Sequence, residues 1–376
     1  MALVAHGIHD RGGMERAFAE LVRGVHDEFD LVVISSDLAE ELRPLVTWRR
    51  TRAPERPLIV RFPVFLVRAG LRLRREDVDL VHTMGAIVAN RVDLVSVQHC
   101  HAGFRAATGR LAPRGVPALR RVNTSLARAI ALASERWCYR PTRVRALAPV
   151  SRGVAAELER HYPGIPLSIT PNGVDVERFS PNAAARAELR TAFGSGDDAV
   201  VALFVGGNWD LKGLAIAIEA VAMAERLGSP MTLWVVGDGP RERFEKLARD
   251  HGVGARVRFF GPRDDTERFY AAADVFVLPT QYEAFPLVAL EAAASGMPLI
   301  VTRVNGIEEL LSDDRGGILV ERDAQSVGAA LARLAPNPAE RARIGADARA
   351  NALDYTWARS VEAVRDVYRT LLGVQA

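Results

Sequence analysis

The sequence predicts an α/β protein made of two doubly wound domains in tandem, and three observations carry that expectation. At 376 residues the chain exceeds one ordinary core and accommodates two. Short apolar runs alternate with helical patterns along its length, the signature of parallel sheets. These runs fall into two sets of about six, divided by a turn-rich segment around Pro171-Asn172-Gly173-Val174-Asp175 and Phe179-Ser180-Pro181-Asn182.

In the first half the strand candidates are residues 3–6, 31–35, 80–82, 93–98, 146–150 and 167–170. Gly12 and Gly13, with Met14-Glu15-Arg16, follow the first run and open a helix. Paired glycines let backbone approach a ligand at the carboxyl end of a strand, where open α/β sheets bind; the same residues also make a plain turn. Gln98-His99-Cys100-His101 ends another run. No nearby Asp, Glu or Cys pattern supplies the further ligands a metal needs, so the histidines read as cleft-lining hydrogen-bond groups or as a structural pair. Asp77-Val78-Asp79 precedes its strand instead of following it and reads as a solvated lead-in.

In the second half, residues 183–193 read as a helix and Gly194-Ser195-Gly196-Asp197-Asp198 as a loop. Strands follow at 199–205, 232–236, 257–260, 275–278, 299–302 and 317–320. Gly206-Gly207-Asn208-Trp209-Asp210-Leu211-Lys212-Gly213 leaves the first of these. Its glycines free the loop amides, and Lys212 adds a compact cation suited to phosphate. Gly237-Asp238-Gly239-Pro240 imitates a dinucleotide fingerprint, but Glu242 stands where the last glycine would fall, so NAD is rejected and a cleft-lining turn remains. Asn305-Gly306-Ile307-Glu308-Glu309 opens a helix whose loop amides suit a second phosphate or whose acids only favour the helix N-terminus. From Thr356 onward, Trp357, Val361, Val364, Val367, Tyr368, Leu371 and Leu372 form a terminal amphipathic helix that needs a surface to pack on.

The densest chemistry is Glu283-Ala284-Phe285-Pro286-Leu287-Val288-Ala289-Leu290-Glu291, after the strand that ends at Leu278-Pro279. Pro286 suits the first turn of a helix, because its missing N–H has no partner to lose there. Glu283 then lies in the loop and Glu291 roughly 7 Å up the helix axis. The helix amides between them favour an anion. A ligand anionic in the middle and hydroxylated at both ends is a sugar nucleotide.

Hydrophobic residues are 49% and charged residues 25%, an ordinary globular balance. No apolar run approaches the ~20 residues of a membrane span, and no basic region with a cleavage site marks a leader, so a cytoplasmic protein is expected. Cys100 and Cys138 read as free thiols. A net charge of +3 is too small to argue for nucleic acid. Lys212 and Lys246 are the only lysines among 49 basic residues. Arg49, Arg50, Arg52, Arg56, Arg61, Arg68, Arg72, Arg74 and Arg75 crowd one stretch with Leu58, Ile59, Val60, Phe62, Val64, Phe65 and Leu66. That stretch suits contact with an anionic membrane at the cytoplasmic face, or a solvated arginine face over a buried strand or helix.

In their order and spacing these segments resemble the retaining glycosyltransferases of family 4, which have the GT-B fold of two facing Rossmann-like domains. The likeness runs from Gly12-Gly13 through Asn172-Gly173-Val174-Asp175, Lys212-Gly213 and Gly237-Asp238-Gly239-Pro240 to the Glu-x7-Glu spacing of Glu283 and Glu291, and covers nearly the whole chain. It implies an acceptor-binding domain at 1–178, a nucleotide-sugar domain at 179–355, and a helix at 356–376 that crosses back to the first. It also implies metal-independent transfer, with retention, from a nucleoside diphosphate sugar (UDP favoured) to a glycan, lipid-linked or small-molecule hydroxyl. The sugar nucleotide is a substrate, and no cofactor is implied.

By the same resemblance Glu291 would bond the ribose, Glu283 would lie by the donor sugar, Lys212 would hold the diphosphate and His99 or His101 would contact the donor sugar. Gly12, Gly13, Gly206, Gly207, Asn208, Gly237, Ala284, Phe285, Pro286 and Leu287 would complete the donor site. Gly206-Gly207-Asn208 replaces a common Gly-Arg-Leu and is similar to the lipopolysaccharide-core glucosyltransferase branch. Leu211 stands where that branch often has a basic residue, which shifts phosphate binding onto Lys212. Ala284 and Pro286 replace frequent glycines and narrow the sugar pocket. A sugar-nucleotide epimerase on the same fold and a catalytically silent partner subunit are the rival readings.

Overall fold

The protein is described from a computed structural model, which covers residues 1–54, 57–109, 118–196, 198–311 and 315–373. Arg56 of the basic stretch and Asp197 lie outside the described residues. The chain divides into two units: Met1–Gly173 with Trp357–Ala376, and Val174–Thr356. By contacts the first break falls after Gly173, within the turn-rich segment.

Unit 1 carries a six-stranded parallel sheet in the order Thr47–Arg50, Val32–Ser35, Ala2–Val4, Val81–Met84, Val92–Val97, Val144–Pro149. Unit 2 repeats the pattern with Val257–Gly261, Thr232–Val236, Val201–Val205, Val275–Leu278, Leu299–Thr302, Gly317–Val320. In each sheet the strand order by chain position is 3-2-1-4-5-6, the Rossmann order, whose direction reverses between the first and fourth strands. Central strands such as Val201–Val205 and Val275–Leu278 are buried at every residue, which is why they read in sequence as unbroken apolar runs.

Two expectations need correction. Residues 167–170 do not form a strand; Leu147 and Leu167 make only an isolated bridge. Ser168 N and Thr170 N donate to Leu147 O and Pro149 O, but Pro149 has no N–H to return, so the ladder stops. Conversely, Thr47–Arg50 is a strand that periodicity missed. It is the sheet edge, pairing only with Val32–Ser35, and edges are where strands carry charge.

The terminal helix, Trp357–Leu372, belongs to unit 1. Its Val361, Val364, Val367 and Tyr368 join the core that contains Phe18, Val22, Leu3 and Val33. A Cβ on Gly24 would lie 2.6 Å from Val361 Cγ1, so the helix Gly13–Val25 and the terminal helix approach as closely as a glycine allows. Arg365 pins the pair by donating to Gly24 O at 2.7 Å and pairing with Glu28 at 2.9 Å. In unit 2 the first residue, Val174, forms an isolated parallel bridge with the last, Thr356.

Candidate functional site

In each unit the chemistry collects beyond the carboxyl ends of the first and fourth strands, where doubly wound sheets open a crevice. In unit 2 the first strand is followed by Gly206, with φ +137°, and the second by Gly237, with φ +130°. A Cβ on Gly237 would stand 2.2 Å from Gly206 O, and one on Gly206 would stand 2.7 Å from Lys212 Cδ. Only glycine fits either place, so the two strand ends and the lysine stem form one cradle. Asn208, at φ +48°, is the only non-glycine residue with positive φ among the described residues. Held strain of that kind collects at ligand sites. It starts the short helix Trp209–Lys212, which Trp209 Nε1 anchors by donating to Gly206 O at 2.8 Å.

Lys212 Nζ then lies 2.7 Å from Glu283 Oε1, joining two of the sequence-identified residues across 71 positions. Both side chains are half-buried. Thr280 Oγ1 is 3.3 Å from the same carboxylate oxygen, and Thr280 O is held by Thr302 Oγ1 at 2.6 Å. Gln281 N donates to Leu211 O at 2.9 Å, stitching the fourth-strand loop to the lysine loop. Phe285 is buried with its ring tilted against Tyr355 at 5.4 Å, while Gly306 leaves room for it. Pro286 sits at the N-cap of Leu287–Ala294, one residue before the first turn where it was expected, and provides no side-chain cap. The opening amides of that helix thus have no side-chain acceptor from their own cap.

Glu291 is not part of the lysine pair. Its Oε2 accepts from Tyr270 OH at 2.9 Å. The two glutamates are therefore held by different partners, one by a cation and one by a buried phenol. Arg322 escaped the sequence reading. From the loop after Gly317–Val320 its guanidinium donates to Asp210 O and Leu211 O at 3.2 and 3.4 Å, and Arg243 grips the Asp210 carboxylate at 2.7 and 2.9 Å. Nothing local in sequence links either arginine to the lysine loop.

In unit 1, Gly12 caps the helix Gly13–Val25 at φ +92°, and neither glycine lines the cavity beside it, although Met14 and Glu15 do. That cavity, of about 470 Å³, opens at the ends of Ala2–Val4, Val81–Met84 and Val92–Val97 under the helices Leu58–Leu73 and Ala118–Cys138. His99 and His101 both line it, their rings 4.8 Å apart edge to face. Burial first, then His101 and Arg128, hold the His99 pKa down at about 3, so its ring is neutral at physiological pH.

His101 is held by Glu135, a second residue that sequence reading missed. This carboxylate is 2% exposed and accepts from His101 N and Nδ1 at 2.8 Å, from Ala102 N at 3.3 Å and from Tyr162 OH at 2.9 Å. The signal was present: Glu135 lies on the buried stripe of its helix with Ala131, Leu132, Ser134 and Cys138, where an unpaired acid does not survive. Cys100 and Cys138 are buried free thiols, and Asp77 and Asp79 are exposed. Among the described residues, no group of three or more His, Cys, Asp or Glu is arranged to hold a metal ion.

Comparison with known proteins follows the same division. Residues 11–178 match the model for Glycosyltransferase Family 4, and residues 199–337 match that for Glycosyl transferases group 1. A D-inositol 3-phosphate glycosyltransferase of Acidothermus cellulolyticus is 30% identical over 403 aligned positions, covering 98% of this chain and 87% of that protein. The chain belongs to glycosyltransferase family 4. A namesake enzyme of Saccharomonospora viridis is 35% identical over 58% of this chain, and the match spans about half (54%) of that relative's length.

Among solved structures, WaaG, a glycosyltransferase involved in lipopolysaccharide biosynthesis, superposes with a TM-score of 0.81 at 22% identity, over 97% of this chain and 98% of its own. Anabaena HepE in complex with UDP-glucose gives 0.71 at 17% identity, over 99% and 100%. Both likenesses establish the GT-B type of fold, two Rossmann-like domains in one chain.

Proposed function

We propose that this family 4 protein transfers a sugar from a UDP-sugar to a hydroxyl acceptor with retention of anomeric configuration and without a metal ion. The observation that carries the reading is the Lys212–Glu283 pair, seated in a glycine cradle at the switch point of unit 2. A compact cation, glycine-lined amides and the opening of the Leu287–Ala294 helix converge on one place, which is what a diphosphate requires. Lys212 would hold the diphosphate, Glu283 would take the donor sugar and Glu291 the ribose. His99, or His101 beside it, would contact the donor sugar. The HepE structures with UDP and with UDP-glucose support a uridine donor by analogy of fold.

Catalysis on this reading is positioning plus stabilisation of charge on the departing diphosphate, with no covalent nucleophile assigned. The relatives are named for D-inositol 3-phosphate; for this chain the acceptor stays at a glycan, lipid-linked or small-molecule hydroxyl.

Peripheral contact with an anionic membrane forms part of the proposal. Arg49 pairs with Glu76, and Arg68 donates to Arg52 O, so part of the arginine run is internally engaged. Along Leu58–Leu73, however, Val60, Pro63, Val67 and Leu71 form one exposed stripe at helical spacing, flanked by Arg68, Arg72, Arg74 and Arg75. No helix among the described residues is long and apolar enough to cross a membrane. An interfacial seat is what such a basic, apolar stripe suits.

The deciding experiment is a thermal-shift screen of UDP, GDP, ADP and their sugars, since a ligand at 100 times its Kd stabilises by about 2.7 kcal/mol. UDP and a UDP-sugar should raise the midpoint most; no shift with any nucleotide would sink the reading. Product analysis with and without acceptor then separates transfer from epimerisation, and donor hydrolysis by the chain alone excludes a silent subunit.

A further inference from the structure

The cavity of unit 1 has a composition that its relatives' names do not anticipate. Its walls are apolar: Phe62, Ile87 and Ala131 line it, and Met14 and Leu58, both largely exposed, stand among the lining residues. A volume near 470 Å³ is that of a small-molecule site.

Its charged groups are few and uneven, although Ser96, Gln98, His99, His101, Thr124 and Tyr139 also line it. Arg61 lines the cavity, and its guanidinium makes no side-chain hydrogen bond or ion pair among the described residues. Beside it, His6 lines the same space with a buried Nδ1 that has no hydrogen-bond partner. Burial, helped by Arg61, lowers the His6 pKa to about 4, which places the guanidinium near the ring and keeps that ring neutral. Arg128, over the Phe104 ring at 4.3 Å, adds a second cation. Of the two acids in the lining, Glu135 is consumed by its four hydrogen bonds, leaving Glu15 to receive a hydroxyl.

We infer that the cavity is the acceptor site and that it takes an amphiphilic anion, an apolar body bearing a phosphate or carboxylate, with Arg61 as the anion's partner. The inference rests on the transferase reading and narrows its acceptor class. A half-buried guanidinium with no side-chain partner is a ready seat for an anion, and exposed apolar side chains at a cavity gain by covering. An inositol phosphate would satisfy the arginine but leave the apolar walls against hydroxyls. The shared chemistry fits both a lipid headgroup with its chain and a soluble aromatic phosphate.

Calorimetry on the full chain with four probes decides it: octyl phosphate, 1-naphthyl phosphate, octyl glucoside below its micellar concentration, and D-inositol 3-phosphate. One of the two amphiphilic phosphates should bind at one site per chain, at least tenfold tighter than octyl glucoside or inositol phosphate. Preference for the octyl chain assigns a lipid source, and preference for naphthyl a soluble aromatic one. Arg61→Gln should weaken that probe about ten- to a hundredfold. Ala131→Trp should abolish binding by filling the cavity, with Ala127→Phe as the milder filling.

Inositol phosphate binding as tightly as octyl phosphate overturns the inference. So does amphiphile binding that is unchanged in Arg61→Gln and both filling variants, since that is adsorption to exposed apolar surface. UDP is titrated in the same samples. Loss of amphiphile binding with UDP binding intact sinks this inference alone, whereas absence of UDP binding to the wild-type chain sinks the transferase reading.

Discussion

The hydroxyl of Tyr368 lies 2.6 Å from Nδ1 of His82, a contact across 286 positions that ties the last helix to the fourth strand of the first sheet. His82 Nε2 meets Ser96 Oγ at 2.8 Å, so both ring nitrogens are engaged and the ring is wholly buried. Unit 1 is therefore complete only when residues beyond unit 2 have returned to it.

Tyr368→Phe should accordingly destabilise unit 1 by about 1–3 kcal/mol, because it leaves a buried ring nitrogen without a partner. Chemical denaturation, followed by probes in each unit, checks this. An unchanged midpoint for unit 1 would mean that the terminal helix is held by apolar packing alone.

Acid should weaken the fold earlier than carboxylate protonation would. Burial holds the pKa of His82 and of His99 at about 3, and that of His6 at about 4, against 6.5 for the unfolded chain. The native state keeps these rings neutral while the unfolded state protonates them. Stability is thus full above about pH 6.5 and declines as pH falls toward the folded values, each ring contributing up to about 1.4 kcal/mol per pH unit. Between pH 7.5 and 5.5, His82→Gln should start less stable than wild type but lose stability less steeply. A slope equal to wild type would show that His82 is not among the groups responsible.

These histidines also mark what could be read in advance and what could not. The second-domain strands 232–236, 275–278 and 299–302 were legible because parallel strands buried on both faces are continuous apolar runs. Thr47-Trp48-Arg49-Arg50 was illegible because an edge strand is free to be charged, and residues 167–170 misled because a missing N–H at Pro149 acts from a different segment. At the candidate site the order of motifs singled out Lys212 and Glu283, but not that they would touch. Glu135 left only the signal of an acid on an apolar helix stripe, and nothing local in sequence ties Arg322 to its partners near Asp210.

Lys212→Ala should weaken UDP about ten- to a hundredfold, the loss of a charge-assisted contact of roughly 1.5–3 kcal/mol. The pairing adds a second effect, since Glu283 without its lysine would on the proposed assignment stand as an uncompensated negative charge near the donor. Unchanged affinity in calorimetry would remove Lys212 from the phosphate site.

Transfer should persist in EDTA. On the proposed mechanism the lysine and the start of Leu287–Ala294 supply the positive potential that a divalent ion provides elsewhere. Activity lost to chelation and restored by Mg²⁺ or Mn²⁺ would refute that division of labour.

The two glutamates should separate binding from turnover. Glu291, fixed by Tyr270, would on the proposed assignment meet the ribose, a part of the donor that does not change during reaction. Glu291→Gln should therefore weaken UDP and UDP-sugar alike and act mainly on KM. Glu283 is assigned to the sugar end and holds Lys212 before the donor arrives. A diphosphate must compete with that carboxylate for the lysine, so Glu283→Gln should leave UDP affinity unchanged or tighter while lowering the single-turnover rate. Contacts equal in ground and transition states change KM, whereas those strengthened in the transition state change kcat. Nucleotide affinity and single-turnover rate for both variants settle the point. If Glu283→Gln loses UDP while Glu291→Gln loses only turnover, the donor lies in the opposite direction along the helix.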